Sequence, residues 1–152
     1  MSKVLKYKDI SRTLENIFLV EKNLSMQAKM AITSSVLHSS FNHWLFCGFY
    51  VTRDKKTLEI GPYQGQIIPC THIPIGKGVC GTTLKDKKTN IVNDVSQHLN
   101  YISCDSNAQS EIVVPIFKYK EVVAVLDIDS PLPSDFNEID QLSLEKISKI
   151  IY

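Results

Sequence analysis

Apolar positions along the chain follow two different periods. From Tyr7 to about Phe41 they recur every three to four residues, which predicts helix. No Gly or Pro interrupts that stretch. Asn23-Leu24-Ser25 offers a break into two helices, with Asn23 or Ser25 as the cap. The expected inward face runs from Leu14, Ile17, Phe18 and Glu21 through Leu24, Ala28, Ala31, Ile32, Ser35 and Val36. From Phe46 the pattern becomes β-like. Phe46–Thr52 is rich in aromatic residues and predicts a strand. A polar turn at Arg53–Lys56 leads to a second strand, Thr57–Tyr63, with Pro62 marking its end or an edge. Gln64–Ile75 is expected as a loop, Val79–Asp86 as a short helix, Asn90–Val92 as a short strand and Asp94–Leu99 as a helical turn. Glu111–Lys118 and Glu121–Asp129 form a second antiparallel hairpin across Lys118-Tyr119-Lys120. After a Pro-rich loop at Ser130–Ser134, Asp135–Ile151 reads as a closing helix, with Ile139, Leu142, Leu144, Ile147 and Ile150 apolar. Helices at both ends around antiparallel strands give an α+β two-layer fold.

Two segments depart from these patterns and carry candidate chemistry. Val122–Ser130 (VVAVLDIDS) sets Asp127 and Asp129 inside an apolar run. Carboxylates in a buried strand are costly unless something binds them, so both are expected to face a pocket. The other segment, Ile102–Pro115 (ISCDSNAQSEIVVP), places Cys104 in a polar stretch that runs directly into a strand through Glu111. Gly76-Lys77-Gly78-Val79-Cys80-Gly81 matches the letters of a dinucleotide fingerprint, which needs a preceding strand and an acidic residue ~20 positions on. Pro74 stands where that strand should end and Asp94 comes too early. A glycine turn opening a short helix is the better reading. The N-terminus of that helix suits an anion or would lower the pKa of a nearby cysteine.

Length, at 152 residues, fits one domain, 1–152, able to bury roughly 70% of its unfolded surface without staples. A net charge of +1 gives no nucleic-acid footprint. No run approaches the ~20 apolar residues of a membrane span, and the opening residues lack the apolar core of a signal peptide. The expected compartment is the cytosol, where structural disulfides are rare. The four cysteines, Cys47, Cys70, Cys80 and Cys104, must then serve some purpose besides cross-linking the fold. Cys47 and Cys80 suit burial as small hydrophobes, whereas Cys70 and Cys104 lie in polar, turn-like contexts. A zinc site from Cys70, His72, Cys80 and Cys104 is an alternative, although the cysteine spacings match no zinc pattern.

GPYQG (61–65), IPIGKGVCGT (73–82), CDSNAQSEIVVP (104–115) and VLDIDS (125–130) occur in an order and spacing that resemble the GAF-domain free methionine-(R)-sulfoxide reductases. The resemblance runs from about Ser25 to the C-terminus. It implies a GAF-like six-stranded antiparallel sheet with flanking N- and C-terminal helices, and a homodimer. It also implies reduction of free L-methionine-(R)-sulfoxide by sulfenic acid and disulfide chemistry, a thioredoxin-like reductant, and no cofactor or metal. The catalytic cysteine of the family maps to Cys104, the resolving cysteine to Cys70 and a third to Cys80. The family glutamate maps to Glu111, which adjoins the Cys104 loop and is the first candidate proton donor. Asp127 and Asp129 complete an acidic set suited to a substrate ammonium. Two positions depart from the family pattern. Phe46 stands where a substrate-side Trp is usual, with Trp44 two residues earlier, so Phe46, Trp44 and Tyr50 are the candidate aromatic wall. Ala124 replaces a usual Gly. A non-catalytic GAF sensor binding a small metabolite is the alternative function.

Overall fold

The computed structural model describes all 152 residues. Helices α1 (Lys3–Val20) and α2 (Met26–Ser40) precede strands β1 (Phe46–Thr52), β2 (Thr57–Gly65) and β3 (His72–Pro74). Helix α3 (Gly78–Asp86) and strand β4 (Asn90–Val92) follow, then β5 (Ser110–Lys118), β6 (Glu121–Ser130) and α4 (Glu138–Ile151). The strands form one six-stranded sheet in the order β3-β2-β1-β6-β5-β4, and every neighbouring pair is antiparallel. This is the α+β architecture expected from the sequence.

Local chemistry explains the helix boundaries. Ser2 and Ser25 accept hydrogen bonds from the amides of Leu5 and Ala28, capping α1 and α2, as short polar side chains at this position do. In α4, Asn137 and Asp140 form a reciprocal capping box, so that helix starts three residues after the expected Asp135.

The inward faces of the helices correct several expectations. In α2 the buried residues are Met30, Thr33, Ser34 and Leu37, whereas Ala31 and Ser35 are exposed. The helix is thus turned by about one position from the face read off its apolar residues. Thr33 and Ser34 are small enough to lie against the sheet, and the Ser34 hydroxyl donates to Ala31 O at 3.0 Å. In α1 the buried side is Tyr7, Ile10, Ser11 and Leu14. In α4, Leu144, Ile147 and Ile151 point inward, while Ile139 and Leu142 lie outside.

Two sheet features also differ. β2 runs through Pro62 to Gly65, with a register shift opposite Gly48–Tyr50 of β1. β3 pairs only with Thr57–Glu59, so Pro62 lies where β2 has no neighbour on its outer side and its missing N–H costs no ladder bond. β3 itself emerges from the segment expected as loop, because three residues are too short to show a period.

Alternation along β1, β5 and β6 divides the side chains between two faces. Cys47, Phe49, Ile112, Val114, Ile116, Leu126 and Ile128 face α1, α2 and α4 in one core cluster. Phe46, Tyr50, Val113 and Val125 face the opposite way, with Val79, Cys80 and Leu84 of α3. Glu111, Asp127 and Asp129 share that second face.

Candidate active site

The site is built from the ends of β5 and β6. Glu111 pairs directly with Asp129 and Val113 with Asp127. Residues opposite each other in an antiparallel pair share a face, as do residues two apart on one strand. Register alone therefore gathers Glu111, Asp127 and Asp129, which are 5%, 6% and 8% exposed. Gly48 lies opposite Asp127 in β1, and Phe46 opposite Asp129. The first turn of α3 brings in Cys80. Its Sγ, an oxygen of Glu111 and an oxygen of Asp127 all lie within 4.8 Å of one another.

No Lys, Arg or His forms an ion pair with these three carboxyls. Asp127 Oδ1 is buried without a hydrogen-bond partner. The electrostatics follow. Burial, then repulsion from Asp127 and Asp129, pushes Glu111 well above the usual carboxylate range. Burial, then Asp127 and Asp105, does the same to Asp129. Asp127 rises to about 6, also through burial. Such shifts mark a group held ready for a partner or a proton. The α3 N-terminus does not lower the pKa of its own cysteine. Burial and the nearby Asp127 and Glu111 raise Cys80 well above 9.0, outweighing the helix dipole.

Cys70 and Cys104 are joined by a disulfide, with Cα atoms 5.5 Å apart across a sequence separation of 34 residues. The bond links the loop before β3 to the loop before β5. Beneath it lies a cavity of about 20 Å³. Cys104, Cys80, Glu111, Asp127 and Asp129 line this cavity, together with Ile73, Gly78, Val79, Tyr101 and Ile102. Gly78, at φ 61°, lets the chain turn into α3 and packs beneath Ile102. Its amide donates to Asn100 O at 2.9 Å, tying the Cys104 loop to the helix start.

The remaining candidates divide between the two faces. Phe46 and Tyr50 lie on the carboxyl side, 6.2 Å apart ring to ring, and Tyr63 stacks on Phe46 at 5.5 Å. Trp44 does not join them. It stacks on Phe41 at 4.2 Å and lies 5.9 Å from Phe136, in the helix-side core. The four-residue zinc set does not assemble as free ligands either, since Cys70 and Cys104 are bonded to each other. The potential ligand atoms that converge are those of Cys80, Glu111 and Asp127. Sequence reading missed Tyr101, Ile102, Ile73 and Val79, which lie in short or irregular segments with no period. It also passed over Asp105, next to Cys104, whose Oδ2 is buried without a partner; the CDS motif itself could have drawn attention to it.

The GAF domain profile matches residues 25–151. GAF domain-containing protein A of Dictyostelium discoideum is 37% identical over 150 residues, covering 99% of this chain and 92% of that protein. Free methionine-R-sulfoxide reductase of Escherichia coli is 35% identical over 147 residues, covering 97% and 87%. Among solved structures, a free methionine-R-sulfoxide reductase from Neisseria meningitidis in complex with its substrate superposes with a TM-score of 0.93. It is 36% identical, with 99% of this chain and 89% of that chain covered. The chain belongs to the GAF domain family.

Proposed function

We propose that this GAF-family protein is a free methionine-(R)-sulfoxide reductase. The observation that carries the reading is the Cys70–Cys104 disulfide, closed over a cavity floored by three buried carboxyls that have no cation of their own. A sensor that only bound a metabolite would have no use for that pair of thiols. Relatives whose names state this activity, one solved with its substrate, support the same conclusion.

The residue roles follow from the chemistry. The thiolate of Cys104 attacks the electrophilic sulfur of the sulfoxide while a proton reaches the sulfoxide oxygen. Methionine leaves, and the oxygen remains on Cys104 as a sulfenic acid. The thiol of Cys70 condenses with it, forming the disulfide and releasing water. An external dithiol of the thioredoxin class then returns both cysteines to thiols, becoming a disulfide itself. Glu111 is the proton donor, because its raised pKa keeps it protonated where an ordinary glutamate is ionised. Asp127 and Asp129 receive the substrate ammonium. Phe46 and Tyr50 form the aromatic wall. Cys80 stands by as a second thiol beside Glu111.

A cavity of about 20 Å³ has room for roughly one water molecule, not for an amino acid. Substrate therefore enters only after the disulfide is reduced, when the Cys70 loop separates from Cys104. The whole chain, residues 1–152, works as one unit, and two copies form a homodimer, a reading supported by the exposed Val4 and Leu5 on α1. No helix is long and apolar enough to cross a membrane, and reduced thiols suit a cytosolic setting. The test is turnover of free L-methionine-(R)-sulfoxide with dithiothreitol, and disulfide mapping after pre-reduced protein, freed of dithiothreitol, is treated with the sulfoxide alone. Methionine release and a Cys70–Cys104 bridge are expected. No methionine release would refute the reductase reading, and a Cys80–Cys104 bridge with Cys70 free would reassign the resolving thiol.

A further inference from the structure

We propose that the reduced protein binds one divalent cation of the zinc class through Cys80 Sγ and the carboxyls of Glu111 and Asp127, at a place that the ion and the substrate cannot occupy together. The exclusion rests on the reductase reading above; binding of the ion does not. Three regular elements carry the ligands: the first turn of α3 and the paired strands β5 and β6. Cys80 Sγ and one oxygen each of Glu111 and Asp127 lie within 4.8 Å of one another. Bonds of ~2.0–2.3 Å to a tetrahedral ion set its ligand atoms roughly 3.5 Å apart, so side-chain movements of about 1 Å close the set.

An independent observation is the state of Asp127. It is 6% exposed, lines the cavity beneath the disulfide, and has an oxygen with no hydrogen-bond partner. A buried oxygen in this condition calls for a partner from outside the chain. The cavity, at about 20 Å³, has the volume of roughly one water molecule and so suits a single ion. The thiol selects the metal. Calcium and magnesium take oxygen ligands, whereas zinc accepts thiolate and carboxylate together in one tetrahedral site. Burial holds the Cys80 thiol and the Glu111 carboxyl in their protonated forms. The ion sends both protons to solvent, so one dication replaces two protons and the net charge of the cavity is unchanged. Three protein ligands leave a fourth position for water. Entry, like that of the substrate, follows reduction of the Cys70–Cys104 bond. An ion so placed takes the Asp127 carboxyl from the substrate ammonium and the Glu111 proton from the sulfoxide. It is therefore an inhibitor and not a cofactor.

The closing experiment titrates cobalt(II), a spectroscopic stand-in for zinc, into Cys70→Ser/Cys104→Ser protein with no thiol reductant present. That variant cannot close the disulfide, and neither position supplies a thiolate. One cobalt per chain should bind, with a thiolate-to-cobalt charge-transfer band that added zinc bleaches. Adding Cys80→Ser should remove the band. Adding Glu111→Gln or Asp127→Asn should weaken binding by more than the ~10-fold that changes outside a ligand shell already cost. Absence of the band in folded protein would overturn the proposal. A band that survives Cys80→Ser would do the same, as would binding unchanged by both carboxyl substitutions. If circular dichroism shows the serine variant unfolded, Cys70→Ala/Cys104→Ala takes its place with the same readouts. Free methionine-(R)-sulfoxide is not turned over by either double variant and should compete with the metal. At about ten times its own dissociation constant it should weaken cobalt binding roughly 10-fold by mass action; unchanged cobalt binding would overturn the exclusion. Wild type inactive on the sulfoxide would remove the reductase reading and the exclusion with it, while the cobalt band would still decide the ion site.

Discussion

Two regions of this molecule bury carboxyl groups, and they do so in opposite ways. On the helix side Asp140 is 0% exposed and fully engaged. Lys3 Nζ donates to it at 2.8 Å, the Tyr7 hydroxyl at 2.8 Å and the Asn137 amide at 2.9 Å. On the other face of the sheet, Glu111, Asp127 and Asp129 are almost as deeply buried, but no cation pairs with them and they repel one another. Burial therefore does not separate the two regions; the partners do. The first arrangement ties α1 to α4 and is complete in itself. The second is costly as it stands, and a ligand bearing a positive charge or a labile oxygen relieves it.

The sulfur atoms sharpen the contrast most strongly. Cys104→Ser should abolish even single-turnover release of methionine, because no thiolate remains to attack the sulfoxide. Cys70→Ser should release about one methionine per chain and then stall with Cys104 as a sulfenic acid. Cys47→Ala, on the helix-side face of β1, should leave turnover of the folded protein unchanged. Rapid-quench assays with mass spectrometry of Cys104 would read all three. A fully active Cys104→Ser would break the assignment of chemistry to the pocket face.

The carboxyls come next. Glu111→Gln and Asp129→Asn should each slow turnover ~30- to 1000-fold, the loss of an interaction that strengthens in the transition state. Their unfolding midpoints at neutral pH should be no lower than wild type, because a neutral amide replaces a carboxyl whose charged form burial disfavours. Asp140→Asn should behave in the reverse manner. It should lose about 1–3 kcal/mol of stability, as a charge-assisted bond from Lys3 is weakened, and keep its turnover. Denaturant titrations beside initial rates would show whether the two regions separate in this way. A stable but inactive Asp140→Asn would erase the distinction.

Much of this was legible in the sequence, and the reasons are local. Phe46–Thr52 and Asn90–Val92 appear as read, since their bounds are set by turn residues and β-prone side chains. Asp127 and Asp129 were readable as a pocket because charge inside an apolar strand is too costly to bury without a ligand to meet it. The pairing of Glu111 with Asp129 was not readable, since register across a hairpin depends on the turn at Tyr119-Lys120 and on a bulge between Ile116 and Phe117. Trp44 and Phe46 have the same parity and read alike on a strand. The strand begins only at Phe46, however, and Trp44 belongs to the preceding turn, which swings it to the helix side. In α2, Thr33 and Ser34 are polar letters on a buried face, so apolar periodicity pointed one position away.

The smallest expected effect is a difference in sign. Asp135 belongs to the partnered region. The Ser130 hydroxyl donates to it at 2.7 Å, and His43 Nε2 and Lys3 Nζ lie 2.8 and 3.8 Å from its oxygens. Burial alone would raise its pKa, but these partners outweigh it and hold Asp135 below the usual 3.8. The folded protein then binds fewer protons there than the unfolded chain. Asp135 contributes stability that is present above pH 3.8 and lost as the pH falls through its folded value. Asp127 is displaced the other way, from 3.8 to about 6, so the folded protein binds more protons at that site. Its contribution is present below pH 3.8 and lost as the pH rises through about 6. Asp135→Asn should therefore remove part of the acid lability of the protein. Asp127→Asn should remove a decline in stability on going from mildly acidic to neutral pH. Denaturant midpoints of the reduced protein, measured across that range for wild type and both variants, would read the two slopes. Parallel curves for wild type and Asp127→Asn would mean that the Asp127 carboxyl titrates no differently in the folded and unfolded chains, and the contrast between the two regions would not extend to their protons.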